Sequence, residues 1–159
     1  MKNLLLGCLL ASVFLGYAHA DEIKISNAWV AETSPGQDTA SIKLVITSRK
    51  NAKIVEVGSG MAEHVEIQSR NPEGSASTMI KVSELDIPAQ TPVLIGEGDT
   101  QLVLIGLRQA LVVGHKLPFA LTVKFANGKT TLLRVLAVIK PINKLVVQGR
   151  EFADLAIIQ

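Results

Sequence analysis

The chain has 159 residues, of which 48% are hydrophobic and only 4% aromatic, and its sixteen basic residues nearly cancel its fourteen acidic ones. That length suits one domain whose core needs no disulfide staple. Near-neutral charge and few aromatic rings offer neither the electrostatic footprint nor the stacking platform of a nucleic-acid binder, which excludes that class of function.

The first twenty residues carry one charge, Lys2, then an apolar run from Leu4 to Leu15, then Ala18-His19-Ala20. This is the order of a cleavable export signal, with cleavage after Ala20. The apolar run has about a dozen residues, short of the roughly 17–25 that span a bilayer, so no integral membrane segment is expected after cleavage. Leu5-Leu6-Gly7-Cys8 resembles a lipoprotein box, but the few residues before Cys8 leave no room for a separate apolar region. Cleavage at Ala20 removes Cys8, the only cysteine, and leaves no disulfide and no thiolate ligand or nucleophile. The expected organisation is a signal at 1–20, a domain at 21–140 and a C-terminal extension at 141–159 packed on that domain. The expected location is the periplasm.

From Glu22 onward short β-type runs alternate with turn chemistry, and helical periodicity is almost absent. Strands are predicted near 22–29, 39–48, 53–57, 63–69, 78–84, 92–95, 101–106, 117–125 and 130–138. The turns between them include Ser34-Pro35-Gly36, Gly58-Ser59-Gly60, Asn71-Pro72-Glu73-Gly74 and Gly96-Glu97-Gly98-Asp99. The best-defined hairpin joins the last two strands across Asn127-Gly128, the dipeptide of a two-residue type I′ turn. Leu117, Phe119, Leu121, Val123 and Phe125 alternate onto one face, which must be buried. Eight or nine such strands predict an all-β Greek-key sandwich, with a barrel as the alternative. Beyond Lys140, a strand at Lys144 to Gln148 and a short helix around Glu151 to Ile158 are expected.

Enzyme chemistry finds little support in these residues. Gly96-Glu97-Gly98-Asp99 precedes a strand, whereas a phosphate-cradling loop needs a following helix. His64 and His115 are the only histidines after cleavage, no nucleophile-elbow motif accompanies them, and the acids are scattered. Both histidines are expected to be structural or solvated, and the protein is expected not to be an enzyme.

Laid out in this order, Ser26-Asn27-Ala28-Trp29, Ser34-Pro35-Gly36, Val65-Glu66-Ile67, Met79-Ile80-Lys81-Val82, Leu85-Asp86-Ile87-Pro88-Ala89 and Leu104-Ile105-Gly106-Leu107 resemble the PCu(A)C-type periplasmic copper chaperones. The stretch from Leu111 to Leu121 fits as well, so the resemblance covers about Ile23 to Lys140. It implies a cupredoxin-like sandwich and a Cu(I) site of the form H-x10-M-x21-H-x-M. The spacing survives here, but its content does not. The four positions hold Gln68, Met79, Gln101 and Val103. Glutamine offers a hard amide oxygen and valine offers nothing, so one thioether remains for a soft ion. His64 lies about 13 Å from position 68 along a straight strand, much too far to replace it. Met61 is no nearer in sequence, and the extension contains no His, Met or Cys. The resemblance therefore implies a protein of periplasmic copper handling or delivery, with copper-handling proteins as partners and Met79 as its one retained ligand position. The alternative is a metal-free interaction or structural module on the same frame.

Overall fold

The computed structural model describes residues 22–71 and 78–142. The export signal, the Pro72-Glu73-Gly74 part of one predicted turn and the extension beyond Ile142 lie outside the described residues.

Ten strands follow one another: β1 (Ile23–Ala31), β2 (Thr39–Ser48), β3 (Ala52–Gly58), β4 (Ala62–Arg70), β5 (Met79–Lys81), β6 (Leu85–Ile87), β7 (Val93–Ile95), β8 (Thr100–Leu107), β9 (Lys116–Phe125) and β10 (Thr130–Lys140). The all-β class follows from the alternation of apolar residues. In β2, Ala40, Ile42, Leu44 and Ile46 point inward; in β9, Leu117, Phe119, Leu121, Val123 and Phe125 do the same. Each of these valine, leucine, isoleucine and phenylalanine side chains contributes roughly 1.5–3 kcal/mol by leaving water.

The strands form one hydrogen-bonded path, β5-β4-β8-β2-β1-β10-β9-β3-β6, with β7 pairing onto β2. Only β1 and β10 run parallel among the paired strands. The two ends of this path, β5 and β6, are separated in sequence by just Val82-Ser83-Glu84. A link of that length spans at most roughly 15 Å, so the sheet must curl until its ends meet. Its two halves then face each other across a single core to which β2, β3, β6, β8, β9 and β10 all contribute.

Two expectations need correction. The strand predicted at 78–84 is two strands, β5 against β4 and β6 against β3. Val82 is where they part: its N–H donates to the Ile67 carbonyl as the chain leaves β4. This makes ten strands among the described residues rather than eight or nine. The Asn127-Gly128 turn is not type I′, which needs positive φ at both central residues, because only Gly128 has it, at 84°. Gly128 N–H donates to the Phe125 carbonyl at 2.9 Å and Phe125 N–H to the Lys129 carbonyl at 2.8 Å. That is a three-residue loop closed by a glycine bulge.

Gly96-Glu97-Gly98-Asp99 is the β7–β8 turn, as expected, and Gly96 N–H donates to the Thr100 carbonyl at 2.8 Å. Gly96 and Gly98 both have positive φ, at 88° and 89°, but only Gly96 is pressed against another strand. A Cβ there would stand 2.6 Å from Lys43 Cγ and 3.0 Å from the Ile42 carbonyl oxygen, whereas at Gly98 it would meet nothing within 4 Å. Gly98→Ala should therefore cost roughly 1 kcal/mol of backbone strain, and Gly96→Ala roughly 3 kcal/mol because β2 must also move. Urea unfolding of the two variants checks the difference.

Candidate functional site

Strand alternation sends Ile67, Leu102 and Leu104 into the core. Their neighbours Gln68, Gln101 and Val103 thereby take the opposite face of β4 and β8. The β4–β8 register sets Gln68 across from Gln101 and Glu66 across from Val103. On the other side of β4, Gln68 faces Lys81 and Arg70 faces Met79. Met79 is thus the diagonal neighbour of Gln68. The four positions named from the sequence gather at one corner of the sheet, three on adjacent central strands and the fourth on the short strand β5.

What fills this corner is a ladder of polar side chains. Gln101 Nε2 donates to Gln68 Oε1 at 2.8 Å. Gln68 Nε2 in turn donates to Glu66 Oε2 at 3.1 Å. The second carboxylate oxygen, Glu66 Oε1, accepts from Lys81 Nζ at 3.1 Å. His64 Nε2 lies 3.6 Å from the same oxygen. Glu66 is the hub: the hydrogen bond from Gln68, then that from Lys81, then the charges of Lys81 and His64 hold its carboxyl below the usual range, against an opposing push from partial burial.

Sequence reasoning kept His64 apart from position 68, and His64 is turned toward Glu66 instead. It missed Glu66 and Lys81 as members of the group. Alternation alone could have found Glu66, two residues from Gln68 on one strand. Lys81 depends on the β4–β5 register and has no local signal. Met61 packs against the core outside this corner, and His115 sits in the exposed turn before β9, its N–H donating to the Val112 carbonyl.

Chemically, the corner presents amide and carboxylate oxygens, which are hard donors, beside one thioether. Among the described residues no group of three His, Cys, Asp or Glu side chains is placed to hold a metal ion. The donor set does not fit Cu(I). Across from Val103 lies Ser41. Its buried hydroxyl has no hydrogen-bond partner among the described residues.

A cavity of about 660 Å³ lies elsewhere, beside β3 and β6. Its charges answer one another: Lys53 Nζ is 3.3 Å from Glu84 and 3.5 Å from Asp86.

Comparison with known proteins adds three findings. The profile of a family described as "Putative lipoprotein LpqE-like" matches residues 23–136. A curated relative, "Putative lipoprotein Lxx21020" of Leifsonia xyli subsp. xyli, is 28% identical over 117 residues, covering 73% of this chain and 69% of its own. Solved structures share the fold at low identity. The apo PCuAC domain from PmoF1 aligns with a TM-score of 0.62 at 17% identity, over 76% of this chain and 95% of its own. The copper-bound PCuAC domain from PmoF2 has a TM-score of 0.57 at 15% identity, over 76% and 94%. The Cu(I) form of DR1885 from Deinococcus radiodurans has 0.56 at 24%, over 77% and 83%. The cupredoxin-like β fold expected from the sequence is the fold of these neighbours.

The ladder makes a specific claim about protons. A carboxyl held below its ordinary range adds stability that is fully present above the unfolded-state value and is lost as pH falls through the folded-state value. Gln68→Ala and Lys81→Ala should each move the Glu66 titration, followed by carboxyl NMR, up toward the ordinary range. Each should also move acid unfolding to higher pH. An unchanged Glu66 titration in both variants would show that the ladder is not formed in solution.

Proposed function

The chain belongs to the LpqE-like family, and from that premise we propose that it is an exported, non-enzymatic protein that serves copper handling outside the cytoplasm through contacts with copper-handling proteins, not as a carrier of tightly bound Cu(I). The Gln101 to Gln68 hydrogen bond carries this reading. It occupies the two positions where the PCu(A)C pattern has imidazoles, and it spends the amide oxygen of Gln68 on a neighbouring side chain. Likeness of fold to copper-bound PCuAC domains supports the connection to copper. Met79 remains as the single soft donor, and one thioether is too little for chaperone-grade affinity.

A metal-free interaction or structural module is the second reading, favoured by the ladder in which Gln101, Gln68, Glu66 and Lys81 pair with one another. Physiology separates the two. In the first, deleting the gene lowers the copper content of exported copper enzymes, and Met79→Leu restores it as fully as wild type. In the second, the deletion leaves copper content unchanged.

Carriage itself is tested by titrating Cu(I) against a chromophoric chelator. Wild type and Met79→Leu should both leave the chelator loaded. The triple variant Gln68→His, Gln101→His, Val103→Met should withdraw copper together with Met79. A folded triple variant with no gain would mean that the ligand positions are misplaced, and a wild type that competes well would overturn the loss of carriage.

Export rests on Lys2, the apolar run and Ala18-His19-Ala20, and the lipoprotein descriptions of the family and of the Leifsonia relative agree with it. Those descriptions also bear on Cys8. The intact mass of the protein recovered from the cell envelope should equal residues 21–159 without modification. A diacylglyceryl group on Cys8 would instead assign the chain to the lipid-anchored class.

A further inference from the structure

The outward face of β10 has the wrong composition for a surface in contact with water. Leu132, Leu136 and Val138 alternate along it, 55%, 58% and 45% exposed. The β9 partners of the last two are Pro118 and Lys116, and Trp29 of β1 lies beside Val138. A shallow cavity of about 540 Å³, lined by Pro118, Ala120, Arg134 and Leu136 among others, opens on this face. Single exposed apolar residues are ordinary, but three on the outer side of one strand, with only Arg134 between them, gather apolar surface that a monomer covers or uses.

Charge narrows the occupant. Lys116, Lys124 and Arg134 share this face by register and Lys140 by alternation along β10, while the acid nearest on β3, Glu56, accepts from Thr122. Arg134 forms no ion pair with another described residue. An apolar partner with acidic groups would complement it, and such a segment is attached to the end of β10 itself. Beyond Ile142 the chain continues through Lys144 and Arg150 to Glu151-Phe152-Ala153-Asp154-Leu155-Ala156-Ile157-Ile158. At helical spacing Phe152, Leu155 and Ala156 share a side, with Asp154 opposite them.

Reach permits the return. The exit from β10 is fixed by Glu32, whose N–H donates to the Lys140 carbonyl at 2.8 Å and whose Oε1 accepts from Ile142 N–H at 3.1 Å. From Val138 back to Leu132 is roughly 20 Å along the strand. Ten residues, 141–150, extend to roughly 33 Å, and eight helical residues cover roughly 12 Å.

We propose that residues 151–158 fold back on the outer face of β9 and β10, seating Phe152 and Leu155 over Leu132, Leu136 and Val138 with Glu151 or Asp154 near Arg134. The occupant is this chain's own segment rather than a second copy or a foreign partner.

Cross-linking tests it in the full chain carrying Cys8→Ser, so that an introduced pair supplies the only thiols. Leu136→Cys is combined with Leu155→Cys or, as control, with Asp154→Cys on the opposite side of the segment. A tether alone gives both thiols a similar effective concentration, so docking should make the Leu155 pair close about tenfold faster within one molecule. Equal rates, or no closure, would overturn the proposal. A bond formed only between copies, read by mixing light and heavy-isotope chains, would assign the face to a second copy. Deleting 151–158 from the otherwise unaltered chain gives an independent reading that needs no cysteine: the methyl resonances of Leu132, Leu136 and Val138 should shift while those of Ile42 and Leu104 stay. If the outer methyls stay too, the segment does not dock there.

Discussion

Three residues, Val82-Ser83-Glu84, hold the architecture to one solution. They join the two ends of a nine-strand path, and a link so short forces an otherwise open sheet to curl on itself. Closure has two consequences. It draws β5 and β6, each paired on one side only, to within the span of three residues of one another, and it brings the inward faces of the central strands onto β3, β6 and β9, which is what makes the interior a single core. The second short link, from Gly58 to Ala62, reinforces it, with Ala62 N–H donating to the Ser59 carbonyl.

The candidate site sits on the outside of that closed sheet, and its geometry follows from register alone. Once β4 and β8 pair with Gln68 across from Gln101, the two side chains are close enough for one amide to donate to the other. The same alternation then delivers Glu66 below Gln68, and β5 delivers Lys81 beside it. A soft-metal corner would present imidazoles and thioethers with free lone pairs. This corner presents a donor-to-acceptor relay that ends on a carboxylate neutralised by Lys81, so Gln68 and Glu66 find their partners in neighbouring side chains. The fold is shared with the PCuAC domains, while the corner itself holds amide and carboxylate oxygens beside one thioether.

On the opposite side of the barrel-like curl the physical problem is reversed. β10 must satisfy the core with Ala137 and Ile139 while its outer positions carry leucine and valine where polar residues would be expected. Two lysine ammonium groups, of Lys43 and Lys140, lie 4.7 and 4.9 Å from the Trp29 ring centroid. This arrangement shields part of the apolar surface with aliphatic stems and cation–π contacts. It leaves Leu132 and Leu136 more than half exposed.

Much of this was fixed by the chain's local chemistry. Period-two alternation located nine of the strand regions because a curled sheet with one wet face imposes that period on every strand, and glycine at 96 and 98 marked the β7–β8 turn because the backbone there needs positive φ. That positions 68, 101 and 103 hold two amides and a side chain with no donor atom is likewise a matter of residue type, readable from the sequence. Other features were decided in three dimensions. The predicted strand at 78–84 divided because its halves pair with β4 and β3, partners chosen by closure of the sheet and not by their own residues. Asn127-Gly128 took a three-residue loop because the β9–β10 register, set by nine cross-strand pairs, outweighs the preference of one dipeptide. The ladder through Lys81 and the exposed stripe of β10 had no local signature either, since both depend on which strand lies alongside. The sequence by itself determined the alphabet of the site, a thioether among hard oxygens; the tertiary structure decided that those oxygens would answer each other, because only strand register sets which side chains stand face to face.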